Sequence, residues 1–477
     1  MSIYIIIVTA YFLFVMLVSV FTRKLATKTS ADFLIAGRNL GVVTCAVVVA
    51  AEWLGGMSTI GVSEKAFKIG TLQPMLYNLA TATGMIIIGF TVAYHYRKNQ
   101  VYTVSEMLEY LFGRDVRTIS AIAFLIAYIT LSYVQLQTFA GVVSRLFDIN
   151  WFWGVIIASV IITFYTYMGG MHAIAITGII HVVTMFIGLG LAFFIGLHRV
   201  GGFSNLQQLL VSTGSPHDFY NPFSTNLSYA FSLLLGGVLG GMAGQASIQP
   251  VFAAKTPSVA KKAAILSSLI IAPFGLMTAF LGLMARTGLF FDPSTIENTK
   301  QVLPKLLMSP SFVSPFIGGI AIAGIMAAIL STVGPVNFAI VTITIRDIYH
   351  NLLKRDADDT MLLKSSRRLV ILINLITIPL AVMIKGAILD SAYVSYAIRA
   401  IGAIVIIAGI YLKPWTSKLG VKMAFIGGTI VIFICVIANR MGWFHIDKTY
   451  GSVASAIFFL FLGYVIDSIR GVRANQA

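Results

Sequence analysis

Three features of the chain predict an all-α integral membrane protein of about thirteen transmembrane helices, built on an inverted five-helix repeat core with broken helices. Apolar residues fill 58% of the 477 positions and charged residues only 10%, against roughly a quarter charged in soluble domains. Apolar runs long enough for a ~30 Å hydrocarbon core follow one another from Ile3 to Ile469. Two of these runs, five apart in order, are interrupted by glycine.

The first run, 3–21, has neither a basic n-region nor a small-residue cleavage site, so it reads as a retained span. The second, 40–63, carries Glu52 and then the pair Gly55-Gly56 beyond its midpoint. A break at mid-depth is tolerated only where the freed backbone groups face protein, water or an ion, so this run reads as a broken helix. Runs at 73–95, 118–146, 151–168 and 172–197 follow. The seventh, 227–253, places Gly236, Gly237, Gly240, Gly241 and Gly244 between Leu235 and Gln245. Each glycine costs a helix roughly 0.5–1 kcal/mol relative to alanine, and a second interruption is expected here. For both runs, close packing of glycines without unwinding is the simpler alternative. The remaining runs are 263–286, 313–345, 367–384, 389–412, 421–439 and 449–468. Breaks five spans apart are what an inverted repeat produces. The chain then divides into 1–39, an additional N-terminal span and cytoplasmic loop; 40–197, the first repeat; 198–412, an external loop and the second repeat; and 413–477, two C-terminal spans and a tail.

Charge sets the expected orientation. The net charge is +16, and one set of connections holds Arg23, Lys24, Lys28, Arg38, Arg97, Lys98, Arg114, Arg117, Lys255, Arg346, Lys354, Lys418, Lys422, Arg470 and Arg473 among others. The opposite set, with Lys65, Lys68, Arg145, Lys300, Lys305 and Lys385, is poorer by roughly two to one, which predicts a cell-membrane protein with its N-terminus outside and its C-terminus cytoplasmic. No basic stripe is interleaved with exposed aromatics, so nucleic acid is excluded as a partner. Cys45 and Cys435 both lie in apolar runs, which argues against a disulfide framework. Thr103-Val-Ser-Glu106 has the form of a helix N-cap and should open a short amphipathic helix before Gly113. No nucleophile with a base, no metal cluster and no phosphate-binding loop is visible, so an enzyme is not expected and no organic cofactor is implied.

Span nine carries Ala327-Ala-Ile-Leu-Ser-Thr332. Its two hydroxyls either bond the carbonyl one turn back or complete a shell of hard oxygen ligands for sodium together with carbonyls freed at the first break. The chain at this point resembles the solute:sodium symporter family. The matching stretches are Ala31-Asp-Phe-Leu-Ile-Ala-Gly-Arg38, Thr103-Val-Ser-Glu-Met-Leu108, Tyr165-Thr-Tyr-Met-Gly-Gly-Met-His-Ala173, Gln249-Pro-Val-Phe-Ala-Ala-Lys255, Ala327-Ala-Ile-Leu-Ser-Thr332 and Arg346-Asp-Ile-Tyr349. The resemblance implies the leucine-transporter inverted-repeat fold. It also implies a sodium site formed by the carbonyls of Ala46, Val49 and Ala328 and the hydroxyls of Ser331 and Thr332. Departures from the family pattern are Thr177-Gly178 where many members have Thr-Asp, His181 at the following Gln position, and Val333-Gly334-Pro335 where Ala-Asp-Ser is frequent.

The intramembrane charges Glu52 and Arg399 either meet a solute or neutralise each other. Arg399 suits a carboxylate, bidentately held. Trp53, Gly55 and Gly56 at the first break, Tyr133, Gln135 and Gln137 on span four, and Met242 and Gln245 on span seven complete the candidate solute contacts. His181 is either a hydrogen-bonded core residue or a proton-coupling group. The expected function is sodium-coupled import of a small polar organic solute, such as a carboxylate or amino acid, across the lipid bilayer. Proton-coupled symport and a transporter-like membrane sensor are the alternatives.

Overall fold

The computed structural model describes residues 3–22, 34–384, 386–443 and 445–470, the side chains of 168–170 excepted. The expectations resting on Arg23, Lys24, Lys28, Ala31-Asp32-Phe33, Lys385 and Arg473 lie outside the described residues, as do those resting on the side chains of 168–170. The principal helices are α1 (Ile3–Thr22), α2 (Val42–Trp53), α3 (Val62–Ile69), α4 (Leu76–Phe90), α5 (Val104–Phe112), α6 (Arg114–Phe147), α7 (Trp151–Val200), α8 (Gly202–Ser212), α9 (Leu227–Met242), α10 (Gln245–Phe252), α11 (Pro257–Arg286), α12 (Pro315–Ile343), α13 (Asp359–Met383), α14 (Ile388–Tyr411), α15 (Lys418–Met441) and α16 (Lys448–Ile469).

Ten helices among the described residues are long and apolar enough to cross a bilayer, and an eleventh span is the bent pair α2–α3. Two expected spans are shorter. α4 has 15 residues, about 22 Å of helix, and after a kink at Thr91–Val92 the chain adds only Ala93–Lys98. The run at 151–168 belongs to α7, which is helical over 50 residues, about 75 Å if straight and far more than one bilayer. It is not straight. The Tyr165 hydroxyl lies 2.8 Å from Thr177 Oγ1 and 3.2 Å from His181 Nε2, whereas residues twelve and sixteen apart on a straight helix are about 18 and 24 Å apart along the axis. The chain therefore doubles back between Tyr165 and Thr177, as two successive spans require.

α2 ends where the glycine pair predicts. Leu54 and Gly55 leave the helix, Met57–Gly61 forms a π-helical turn, and α3 departs at 54° to α2. Glycine is needed here by contact: a Cβ on Gly55 would lie 2.0 Å from Thr332 Oγ1, and one on Gly56 would lie 2.4 Å from Thr138 Cγ2 and 2.8 Å from Gln135 Oε1. The second interruption falls at Ala243–Gly244, between α9 and α10. Its two halves run on as a single span, without the bend of the first. Of the five glycines, only Gly244 is at the interruption. Gly236, Gly237 and Gly240 stay helical and seat Tyr393, Ala80 and Tyr396, which is the packing alternative.

Helix α12 is the enclosed axis of the bundle, with every residue from Ala321 to Ile343 buried. The starts and ends of the two interrupted spans are clipped together by main chain: Leu40 donates to the Ala253 carbonyl (3.0 Å) and Lys255 to the Leu40 carbonyl (2.9 Å). Thr103 caps α5, accepting from the Glu106 N–H at 2.9 Å, and Gly113 ends it at φ 93°. At the C-terminal pair the backbones nearly touch, since a Cβ on Gly463 would lie 2.1 Å from Gly420 Cα. Gly463→Val should therefore force α15 and α16 apart and cost about 1–3 kcal/mol, read as a lower melting temperature in detergent. Unchanged melting would mean that the helices do not approach there.

Candidate functional site

The last carbonyls of an interrupted helix have no N–H one turn ahead to accept from. At the end of α2, the Ala50 carbonyl still receives Leu54 N–H at 2.9 Å. The next three carbonyls are met by hydroxyls. Ser331 donates to Ala51 (2.7 Å), Thr332 to Glu52 (2.5 Å) and Ser58 to Trp53 (2.7 Å). Ser331 Oγ also lies 2.8 Å from the Ala328 carbonyl. A hydroxyl has one proton, so Ser331 bonds one of the two carbonyls at a time; Ala328 lies within the continuous helix α12, whereas Ala51 is at the end of α2. The Ala51 and Glu52 carbonyls sit at the negative end of the α2 dipole, a setting that favours a small cation.

Of the sodium ligands expected from sequence, the structure brings Ala328, Ser331 and Thr332 together. Ala46 and Val49 are buried on the same helix but one to two turns before the break, within its regular hydrogen-bonded run. The carbonyls that the hydroxyls reach are those of Ala51 and Glu52. These two carbonyls belong to the final turn before Gly55-Gly56.

On the other side of the break lies a buried polar cluster. Glu52 Oε2, Trp53 Nε1, both amide atoms of Gln135, and Nε and Nη2 of Arg399 make no hydrogen bond. Glu52 and Arg399 do not pair with each other, and no contact within 4.0 Å joins them. Arg399 instead stacks over Tyr396 at 4.2 Å, with Trp53 and Tyr128 rings at 5.7 and 5.6 Å, and its Nη1 donates to Tyr128 Oη at 3.4 Å. Gly244 leaves room for it, since a Cβ there would lie 3.1 Å from Nη1. Tyr128 and Tyr396 were not anticipated, because an aromatic on an apolar helix reads as core.

Three candidates have other employment. Gln137 donates to the Ala381 and Ile384 carbonyls (3.0 and 2.6 Å) and accepts from Lys300 Nζ at 3.0 Å, which leaves it no free polar atom. Burial holds that Lys300 ammonium below its ordinary range, with Glu64 acting against the shift. Gln245 accepts from Val104 N–H (2.8 Å) and donates to the Tyr102 carbonyl (3.0 Å), fastening α10 to the start of α5. Met242 is buried at the second interruption and its carbonyl accepts from Tyr96 Oη at 3.1 Å. Tyr133 is buried on α6, two residues from Gln135 and so on another face of the helix.

The basic end below the site is closed. Asp347, fully buried, accepts from Arg117 Nε (2.8 Å) and Thr103 Oγ1 (2.9 Å), and Arg117 also bridges Glu109 at 2.5 Å. Arg38 and Arg346 both lie over the Tyr102 ring, at 5.0 and 4.1 Å from its centroid.

The sequence profile of the sodium:solute symporter family matches residues 33–461. The chain belongs to that family. As a symporter it is a transporter and not an enzyme, and sodium and a small-molecule solute are its partners in a multi-pass membrane fold. Its fold is that of a sodium-coupled sialic acid symporter solved substrate-bound and outward-open, which is 19% identical with a TM-score of 0.81 over 98% of each chain. A nucleobase-cation-symport-1 family transporter, closed with bromovinylhydantoin bound, is 14% identical with a TM-score of 0.59 over 92% of this chain and 95% of that one. In this symporter a Cβ at Gly178, the position where the family resemblance expects an acid, would lie 3.6 Å from the side chains of Val48 and Ala51 on α2.

His181 of the symporter is fully buried between two tyrosines, its Nδ1 2.5 Å from Tyr11 Oη and its Nε2 3.2 Å from Tyr165 Oη. Both ring nitrogens are engaged, as in a structural histidine. His181→Gln should leave the pH profile of transport between about pH 5 and 8 unchanged in initial-rate uptake. A flattened or displaced profile would return His181 to ion coupling.

Proposed function

We propose that this symporter imports a small polar organic solute bearing a carboxylate, with sodium bound at the end of α2 and the solute on the other side of the same break. One observation carries the sodium assignment: Ser331 Oγ lies 2.7 Å from the Ala51 carbonyl at the end of α2 and 2.8 Å from the Ala328 carbonyl of α12, which brings oxygens of both helices to one place. A sodium ion held by those carbonyls, by the Glu52 carbonyl and by the Ser331 and Thr332 oxygens satisfies all of them at once, the hydroxyls turning their lone pairs to the ion. Ala46 and Val49, implied by family resemblance, are alternative carbonyl donors deeper in α2. Transition-metal chemistry is not called for by an all-oxygen, uncharged donor set of this kind.

Coupling follows from the position of Glu52. Its carbonyl takes the Thr332 hydroxyl on the ion side, while its carboxylate Oε2 faces the solute cluster. An ion that fixes the end of α2 against α12 therefore also fixes the carboxylate that the solute meets, and by linkage the solute strengthens sodium binding by the same factor. Arg399, with the N-terminus of α10 beside it, supplies the positive side for a carboxylate. The repeats at 40–197 and 198–412, and an N-out, C-in orientation in the cell membrane, complete this reading.

In proteoliposomes, uptake should collapse when the inward sodium gradient is replaced by choline, and a pH gradient alone should not restore it. Ser331→Ala or Thr332→Ala should raise the half-saturating sodium concentration about tenfold, the equivalent of ~1.4 kcal/mol. Sodium dependence unaltered in both variants would mean that these hydroxyls serve only to cap α2.

A further inference from the structure

The solute cluster holds two buried ionisable groups of opposite type, a carboxyl and a guanidinium, that do not pair with each other, and we infer that this site recognises a zwitterion, a solute carrying a carboxylate and an ammonium in one small molecule. This inference rests on the solute site proposed above and names its class of substrate. Glu52 and Arg399 are 3% and 0% exposed. A buried charge without a partner is unfavourable by several kcal/mol, and no ion pair forms between these two to relieve it. A ligand with one charge of each sign relieves both.

The free atoms state which charge goes where. On Arg399 the occupied nitrogen is Nη1, bonded to Tyr128. Nε and Nη2, the unbonded pair, form the side-on edge of the guanidinium, whose two parallel N–H groups match the two oxygens of a planar carboxylate. The other faces of the guanidinium are walled by aromatic rings, so that edge is the one left for a ligand. Across the break, Glu52 Oε2 and Gln135 Oε1 are free acceptors, and Gln135 Oε1 is held against Gly56. An ammonium offers three donors and no acceptor, which suits a carboxylate oxygen and an amide oxygen. A neutral polyol would satisfy the acceptors and leave the guanidinium edge uncompensated. A simple carboxylic acid would do the reverse and leave Glu52 buried alone.

The test uses the purified full-length chain in detergent, with thermal unfolding read in sodium chloride and in choline chloride. The probes are the twenty proteinogenic amino acids, each beside its deaminated carboxylic acid and its decarboxylated amine, with mannitol as the uncharged control. At least one amino acid should raise the melting temperature, and its acid and amine counterparts should bind at least tenfold more weakly. Glu52→Gln should erase the preference for that amino acid over its deaminated acid without lowering the melting temperature of the unliganded protein. Arg399→Lys, which keeps the charge and loses the planar fork, should weaken the amino acid and the acid together. Equal binding of an amino acid and its deaminated acid, a shift from mannitol alone, or no shift from any amino acid would each overturn the inference. Sodium separates it from the reading beneath it: an amino acid that stabilises equally in choline upholds zwitterion recognition and sinks sodium coupling. A lone carboxylic acid that stabilises only in sodium does the opposite.

Discussion

An interrupted helix inside a hydrocarbon layer leaves carbonyl oxygens that water does not reach, and the rest of this transporter is arranged around how those oxygens are satisfied. Ala51, Glu52 and Trp53 each receive a side-chain hydroxyl, two from α12 and one from the chain just past the break. Leaving a buried polar group unpaired costs about 1–3 kcal/mol, so three such bonds decide whether the break is stable at all. They also fix where α12 lies, because Gly55 is tight against Thr332. The enclosed position of α12 follows from that contact.

The two interruptions divide the labour by polarity. The first presents the oxygen end of a helix, and the second presents the start of α10 with Arg399 packed against Gly244. Aromatic rings take the place that counter-ions occupy in water: Tyr396, Trp53 and Tyr128 surround the guanidinium without discharging it. Their quadrupoles stabilise the cation while leaving its hydrogen-bonding edge available. A carboxylate placed there in the same chain would have closed the site to a ligand.

Much of this was legible in the residues. Span order, the break at Gly55-Gly56, the α5 cap at Thr103 and the two intramembrane charges all follow from hydrophobicity, glycine and capping chemistry, which act locally. Three things were not legible, each for a physical reason. A backbone carbonyl has no residue identity, so which turn of α2 supplies oxygens depends on where Ser331 and Thr332 come to rest. Gln135 and Gln137 are alike in sequence and two positions apart, yet face different neighbours, because a helix turns about 200° between them; one stays free beside Gly56 and the other is bound to α13 and Lys300. The glycine run of α9 mixes two roles, since only Gly244 relaxes the backbone and the earlier ones make room for tyrosines of α14 and for Ala80.

The clip between Leu40 and the Ala253–Lys255 segment is made of peptide groups alone. One side chain braces it, since Arg97 Nε and Nη2 donate to the Ala254 and Lys255 carbonyls. Parting the two interrupted spans at that end breaks both main-chain bonds, so the start of the first span and the end of the second are tied to each other by the backbone itself.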